Sequence, residues 1–118
     1  MLINYSTVKN IYVVCGKTDM RRGIDGLASI VLNQFDLDVY SDSLFLFCGN
    51  SLNRFKVLYW DGDGFILLYK RFENGKLQWP RKKSEVRLLT KQQLRWLLEG
   101  LQIDQSKKIA PAIPGYLS

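Results

Sequence analysis

The run Phe55-Lys-Val-Leu-Tyr-Trp-Asp-Gly-Asp-Gly-Phe-Ile-Leu-Leu-Tyr-Lys-Arg-Phe72 decides the fold class. Two stretches rich in aromatic and branched apolar residues flank Asp61-Gly-Asp-Gly64. Asp-Gly between apolar runs is a strong hairpin signal, because a type I′ turn needs positive φ at both central residues. The same pattern extends outward. Upstream, Leu44-Phe-Leu-Phe-Cys48 stops at Gly49-Asn50; downstream, Lys76-Leu-Gln-Trp79 follows Asn74-Gly75 and stops at Pro80. Glu85-Val-Arg-Leu-Leu89 offers one further short strand, and Ile11-Tyr-Val-Val-Cys15, ending at Gly16, reads as the first. Together these runs predict an antiparallel β-meander.

Two helices complete the pattern. Ile24, Leu27, Ala28, Val31 and Phe35 recur at helical spacing, with Arg22, Asp25, Ser29 and Asn33 opposite. Thr18 or Asp19 is the expected N-cap. Gly23 and Gly26 each cost such a helix about 1 kcal/mol relative to alanine, which predicts the close approach of another backbone. Thr90-Lys-Gln-Gln93 is a capping box opening a second helix, whose stripe is Leu94, Leu97, Leu98 and Leu101, with Gly100 near its end. The expected fold is α+β: one domain over residues 1–105, an antiparallel sheet with both helices on one face. Residues 106–118, with Pro111, Pro114 and Gly115, are expected to form an extended or mobile tail. The strands are apolar on both faces, Phe65, Leu67 and Tyr69 alternating with Ile66, Leu68 and Phe72, whereas a sheet with one wet face alternates more cleanly. That predicts a sheet that curls on itself or meets a partner, either a second copy in a homodimer or another protein, with Tyr59 and Tyr69 as candidates for the contact.

Composition narrows the chemistry. With 118 residues, 47% hydrophobic and 13% aromatic, the chain sustains a real core. No apolar run approaches the ~18 residues of a membrane span, and the N-terminus lacks the basic start and cleavage site of a signal peptide, so the cytoplasm is the expected location. There is no histidine, which excludes a Ser-His-Asp triad, a Cys-His dyad and histidine-ligated metals. Cys15 and Cys48 sit in apolar runs and read as buried thiols. No cofactor is expected. Gly16-Lys17-Thr18 lacks the upstream glycine of a phosphate loop, and Asp61-Gly-Asp-Gly64 lacks the later ligands of a calcium loop. Asp19, Asp25, Asp61 and Asp63 are the carboxylates a two-metal nuclease would use, though each has a simpler role as cap, helix surface or turn.

The net charge of +6 is unevenly placed. Residues 1–63 carry six basic and seven acidic side chains; residues 64–118 carry eleven and four. Lys70, Arg71, Arg81, Lys82, Lys83 and Arg87 are candidate phosphate contacts, against the alternative of a solvated face. Trp79, just before the cations, either stacks on a base or closes the core. Arg21 and Arg22, expected in the first turn of the first helix, face its positive dipole end; they make an anion site or pair with Asp25.

Gly16-Lys-Thr-Asp-Met-Arg-Arg-Gly-Ile-Asp-Gly-Leu-Ala28, Lys56-Val-Leu-Tyr-Trp-Asp-Gly-Asp-Gly64, Lys70-Arg71, Trp79-Pro80 and Leu97-Leu-Glu-Gly100 occur in this order. In these segments the chain resembles the TnpB-type accessory protein of insertion-sequence family sixty-six, which is unrelated to the RNA-guided nuclease of the same name. The resemblance covers roughly residues 11–101. It implies a small protein encoded beside a separate transposase, needed for transposition and not itself carrying strand transfer. The partners it implies are that transposase and DNA, and no membrane. Three readings stay open: a DNA-binding adaptor, a protein-interaction module that touches only the transposase, and a metal-dependent nuclease. Family members often carry an arginine-rich loop before the Lys-Val-Leu-Tyr-Trp segment. Here it reads Asn50-Ser-Leu-Asn-Arg54, so Arg81-Lys82-Lys83 is the expected substitute.

Overall fold

A 3-10 turn at Tyr5–Thr7 leads into β1 (Asn10–Val14), α1 (Ile24–Phe35), β2 (Ser43–Phe47), β3 (Arg54–Trp60), β4 (Phe65–Arg71), β5 (Val86–Leu89) and α2 (Lys91–Leu98). The computed structural model describes residues 4–105, and the expected tail at 106–118 lies outside the described residues. One five-stranded sheet has the order β4-β3-β2-β1-β5. The α+β class is as expected, and β2-β3-β4 is the antiparallel meander, with Trp60 opposite Phe65 across the Asp61–Gly64 turn.

The sheet as a whole is mixed. β1 lies parallel to β2, Asn10 opposite Ser43 and Val13 opposite Leu46. Parallel neighbours need a crossover of a dozen or more residues, and α1 with its flanking loops supplies it. The other edge of β1 pairs antiparallel with β5, Ile11 opposite Leu89. The strand expected over Lys76–Trp79 is absent. Leu77 and Trp79 are buried at a period of two, but the Leu77 amide donates to the Leu52 carbonyl at 2.7 Å. The Trp79 indole Nε1 donates to the Val14 carbonyl at 3.0 Å. The extended pattern is thus satisfied without a ladder, and the tryptophan belongs to the core.

Each face of the sheet has its own helix, where both were expected on one. Val13, Leu44, Leu46 and Val57 pack with Leu94 and Leu97 of α2 and with Leu77, Trp79 and Ile103. On the other face, Val14, Phe45, Phe47 and Leu58 pack with Leu27, Ile30 and Val31 of α1. Fully burying each of these large side chains contributes roughly 1.5–3 kcal/mol. The inner strands are therefore covered on both faces within one chain, while edge strand β4 is half-buried over Phe65–Leu68 and exposed from Tyr69.

α1 starts later than its periodicity suggests. Its N-cap is Gly23, with no side-chain cap, so Arg21 and Arg22 precede the helix. The Asp19 carboxylate accepts from the Arg21 amide at 3.0 Å and caps nothing. No backbone crowds Gly23 or Gly26; a Cβ at Gly26 would meet the Arg22 side chain at 3.1 Å. The tight approach lies at Gly49, where a Cβ would stand 2.7 Å from Met20 Cγ and 3.1 Å from the Thr18 carbonyl oxygen. α2 carries the capping box as read, Gln93 N donating to Thr90 Oγ1 at 3.0 Å and Thr90 N to Gln93 Oε1 at 2.9 Å. Leu101 falls past the helix end and is exposed. Among the described residues no helix is long and apolar enough to cross a membrane.

Candidate nucleic-acid interface

Because β1 and β2 are parallel, both end at the same edge of the molecule, and four chain segments meet there. Gly16 turns with φ of +75°, and its amide donates to the Pro80 carbonyl at 2.8 Å. The Cys15 amide donates to the Glu85 carbonyl at 2.9 Å, so the 80–85 loop lies against the end of β1. A Cβ at Gly16 would be 3.3 Å from Lys83 Cα. The Thr18 amide ties the next loop to the Cys48 carbonyl at 2.8 Å. β3 starts at this end and β4 finishes here, Arg54 opposite Arg71.

All the cations singled out in the sequence lie at this end: Arg21 and Arg22 after β1, Lys70 and Arg71 closing β4, Arg81, Lys82 and Lys83 before β5, and Arg87 within it. Two more join them. Lys17 lies in the stretch set aside as an incomplete phosphate loop, and Arg54 is the one arginine of the 50–54 loop. The signal for Lys17 was its position after a strand; its neighbours across the chain were not readable. Lys17 lines two hollows, one shared with Arg21 and Arg54, the other with Arg22 and Lys83. The N-terminus of α1 points its positive dipole end the same way.

These cations differ in how committed they are. Arg21 grips Asp19 through Nε and Nη2, both at 3.0 Å, and these hydrogen bonds pull the Asp19 carboxyl down to about 2. Arg71 pairs with Glu73 at 3.0 Å. Arg87 makes a bidentate pair with Asp104 at 2.7 and 3.0 Å. Arg54 donates to Asn53 Oδ1 at 3.0 Å and to the Tyr69 hydroxyl at 3.4 Å. Lys17, Arg22, Arg81, Lys82 and Lys83 are exposed and form no ion pair among the described residues.

Lys56 plays a part that its sequence context hid. It is buried in β3, and its Nζ donates to the Met20 carbonyl at 2.6 Å and the Arg22 carbonyl at 2.9 Å. This cation of the strand anchors, from inside the sheet, the backbone that carries Arg21 and Arg22.

The opposite end of the sheet is acidic, with Asp36, Asp38 and Asp42 before β2 and Asp61 and Asp63 in the β3–β4 turn. Charge is thus polarised along the strands, an arrangement that orients a polyanion during approach. The nuclease carboxylates are divided by the same polarity. Asp19 and Asp25 lie at the basic end, while Asp61 and Asp63 lie a strand length away, about 20 Å at ~3.3 Å per residue. Among the described residues no group of three acidic or cysteine side chains is placed to hold a metal ion. Cys15 and Cys48 are buried and unpaired in a disulfide; burial raises both thiols, Cys48 to about 11.

The sequence model of the family described as IS66 Orf2 like protein matches residues 9–108. Two proteins of Sinorhizobium fredii are similar. The uncharacterized protein y4hO is 34% identical over 91 residues, covering 77% of this chain and 79% of that one. The uncharacterized protein y4jC is 31% identical over 107 residues, covering 91% and 92%. No solved structure matches this chain. The family accompanies a separate IS66 transposase in an accessory role. On the extent of that match and the order of its motifs, this chain belongs to the IS66 Orf2 like protein family.

Proposed function

We propose that the protein is a non-catalytic, DNA-binding adaptor that helps the separate transposase act on the element's DNA. The observation that carries this reading is the convergence of Lys17, Arg21, Arg22, Arg54, Lys70, Arg71, Arg81, Lys82 and Lys83 on one end of the sheet. Four segments distant in sequence place them together. A merely solvated face has no need of that arrangement. Phosphate contacts from such a surface fix register and orientation but carry no base information. The separation of the carboxylates supports the non-catalytic part, since paired metal ions sit roughly 4 Å apart and need shared acidic ligands. The test is a binding titration against duplex DNA at several salt concentrations, beside incubation of supercoiled plasmid with magnesium or manganese. Steeply salt-dependent binding and intact plasmid are expected. Plasmid cleavage lost in Asp61→Ala or Asp19→Ala overturns the non-catalytic assignment.

A second reading, contact with the transposase through protein surface alone, is favoured by one feature at the acidic end. Tyr40 is 61% exposed, and its ring stands 5.0 Å from Trp60 and 5.6 Å from Phe65. Aromatic clusters of this kind are enriched at interfaces. A pull-down of the transposase with and without element-end DNA separates the two readings: capture that is independent of DNA and lost in Tyr40→Ala favours the second.

A further inference from the structure

We propose that the cleft between the 17–21 loop, the 49–51 loop and the Arg54–Tyr69 pair takes one unstacked nucleotide, so that the protein prefers unpaired DNA to duplex. This inference rests on the DNA-binding reading and names the substrate class for one part of that surface.

The cleft has a volume of about 620 Å³. That lies within the roughly 300–1,000 Å³ typical of sites that enclose a small ligand. A base pair held in a stacked duplex cannot enter such a space, whereas a single extruded base with its sugar can. Tyr69 forms one wall. Its side chain, on edge strand β4, is 52% exposed. Two cations contact the ring. Arg54 Nη1 donates to its hydroxyl at 3.4 Å, and Lys56 Nζ lies 5.7 Å from the ring centroid. An oriented aromatic ring with free surface is a stacking platform that any base can use.

The rest of the lining suits the remainder of a nucleotide. Lys17, Arg21 and Arg54 oppose the single carboxylate of Asp19, so the cleft keeps a net positive charge for phosphate. Asn50 and Ser51 are exposed and offer donors and acceptors for a base edge. Gly49, whose missing Cβ admits Met20 and the Thr18 carbonyl, lets the two loops close against each other. A surface built only for duplex phosphates requires neither the concavity nor the ring.

The test uses fluorescence anisotropy with the full chain, a labelled 16-nucleotide single strand and a duplex of the same sequence, at equal salt. Tighter binding to the single strand is expected. Tyr69→Ala should weaken single-strand binding roughly tenfold, as loss of one base–aromatic stack does, and leave duplex binding within about twofold. The salt slope should not change, because no phosphate contact is removed. Tyr69→Trp, which keeps a platform, should retain single-strand affinity, and its added fluorescence should be quenched by the single strand and not by the duplex. Equal losses on both DNAs, or an unquenched tryptophan, overturn the proposal. Normal duplex binding without single-strand preference overturns this inference alone; binding to neither DNA overturns the adaptor reading with it.

Discussion

Lys56 Nζ lies 2.9 Å from the carbonyl oxygen of Arg22, so a side chain buried in β3 fixes the backbone of an exposed arginine 34 positions earlier. The same ammonium donates to the Met20 carbonyl at 2.6 Å, which makes the loop before α1 an extension of the sheet.

Lys56→Met keeps most of the buried stem and removes both hydrogen bonds. Loss of bonds to a charged partly buried donor costs on the order of 1–3 kcal/mol, read as a lower denaturant midpoint. DNA affinity should also fall, because the 20–22 loop then has to be ordered on binding. The slope of affinity against salt should stay where it was. A slope reduced by about one unit would mean that Lys56 meets a phosphate itself.

Arg81, Lys82 and Lys83 are exposed cations on a loop whose flanking Pro80 and Glu85 carbonyls accept from the Gly16 and Cys15 amides. With about four phosphates neutralised, the parent's log–log salt slope should be near −3.6, and affinity should drop on the order of 100-fold between 50 and 200 mM salt. Replacing all three residues by alanine should flatten that slope by up to about three units and weaken every sequence alike. Thermal stability should change by less than about 0.5 kcal/mol per site, since none of the three side chains is buried.

Arg87 should behave differently from its neighbours in the same segment. Both terminal nitrogens are engaged by Asp104, so Arg87→Ala is expected to loosen the 103–104 turn and leave the salt slope unchanged. The pair also makes an acid-side prediction. Arg87 lowers the Asp104 carboxyl below its ordinary 3.8, so its stabilisation is present above that value and is lost as pH falls through the depressed one. Acid titration of Arg87→Ala should lack this component, and an unchanged titration would remove the pair from the account.

Both thiols should be inert in the folded protein. Burial favours the protonated form of Cys15 and of Cys48, the latter with a pKa of about 11, so little thiolate exists at pH 8. That contribution to stability is complete below the ordinary value of 9.0 and is lost as pH rises toward the folded value. A disulfide-exchange reagent at pH 8 should titrate neither residue until denaturant is added. Rapid labelling of one thiol in the native protein would show that its strand end opens.

What the sequence made legible was local. The Asp61–Gly64 hairpin and the Thr90–Gln93 capping box depend on a few adjacent residues, and both form; the turn is not the type I′ expected, since of its central pair Gly62 has positive φ and Asp63 does not. The parallel pairing of β1 with β2 was not legible, because Asn10 and Ser43 are joined by a helix rather than by a turn with its own chemistry. The strand expected at Lys76–Trp79 failed because a period of two in burial reports an extended chain, not where its amides go. The cations of the interface were legible one by one. Their union was not: Lys17 and Lys83 share a hollow only through the fold, and nothing near Lys56 in the chain identifies Arg22 as its partner.

The place of β1 in the strand order also bears on how the protein is made. As the chain leaves the ribosome β1 emerges first, yet one of its two neighbours follows after more than thirty residues and the other after more than seventy. β2, β3 and β4 can zip together by short hairpins well before β5 exists. Non-local pairings are slow because their loops must close before any contact rewards them. β1, an interior strand next to the edge, is therefore the last to be sealed, and for most of synthesis its β5-facing side stands open as a template for wrong pairing.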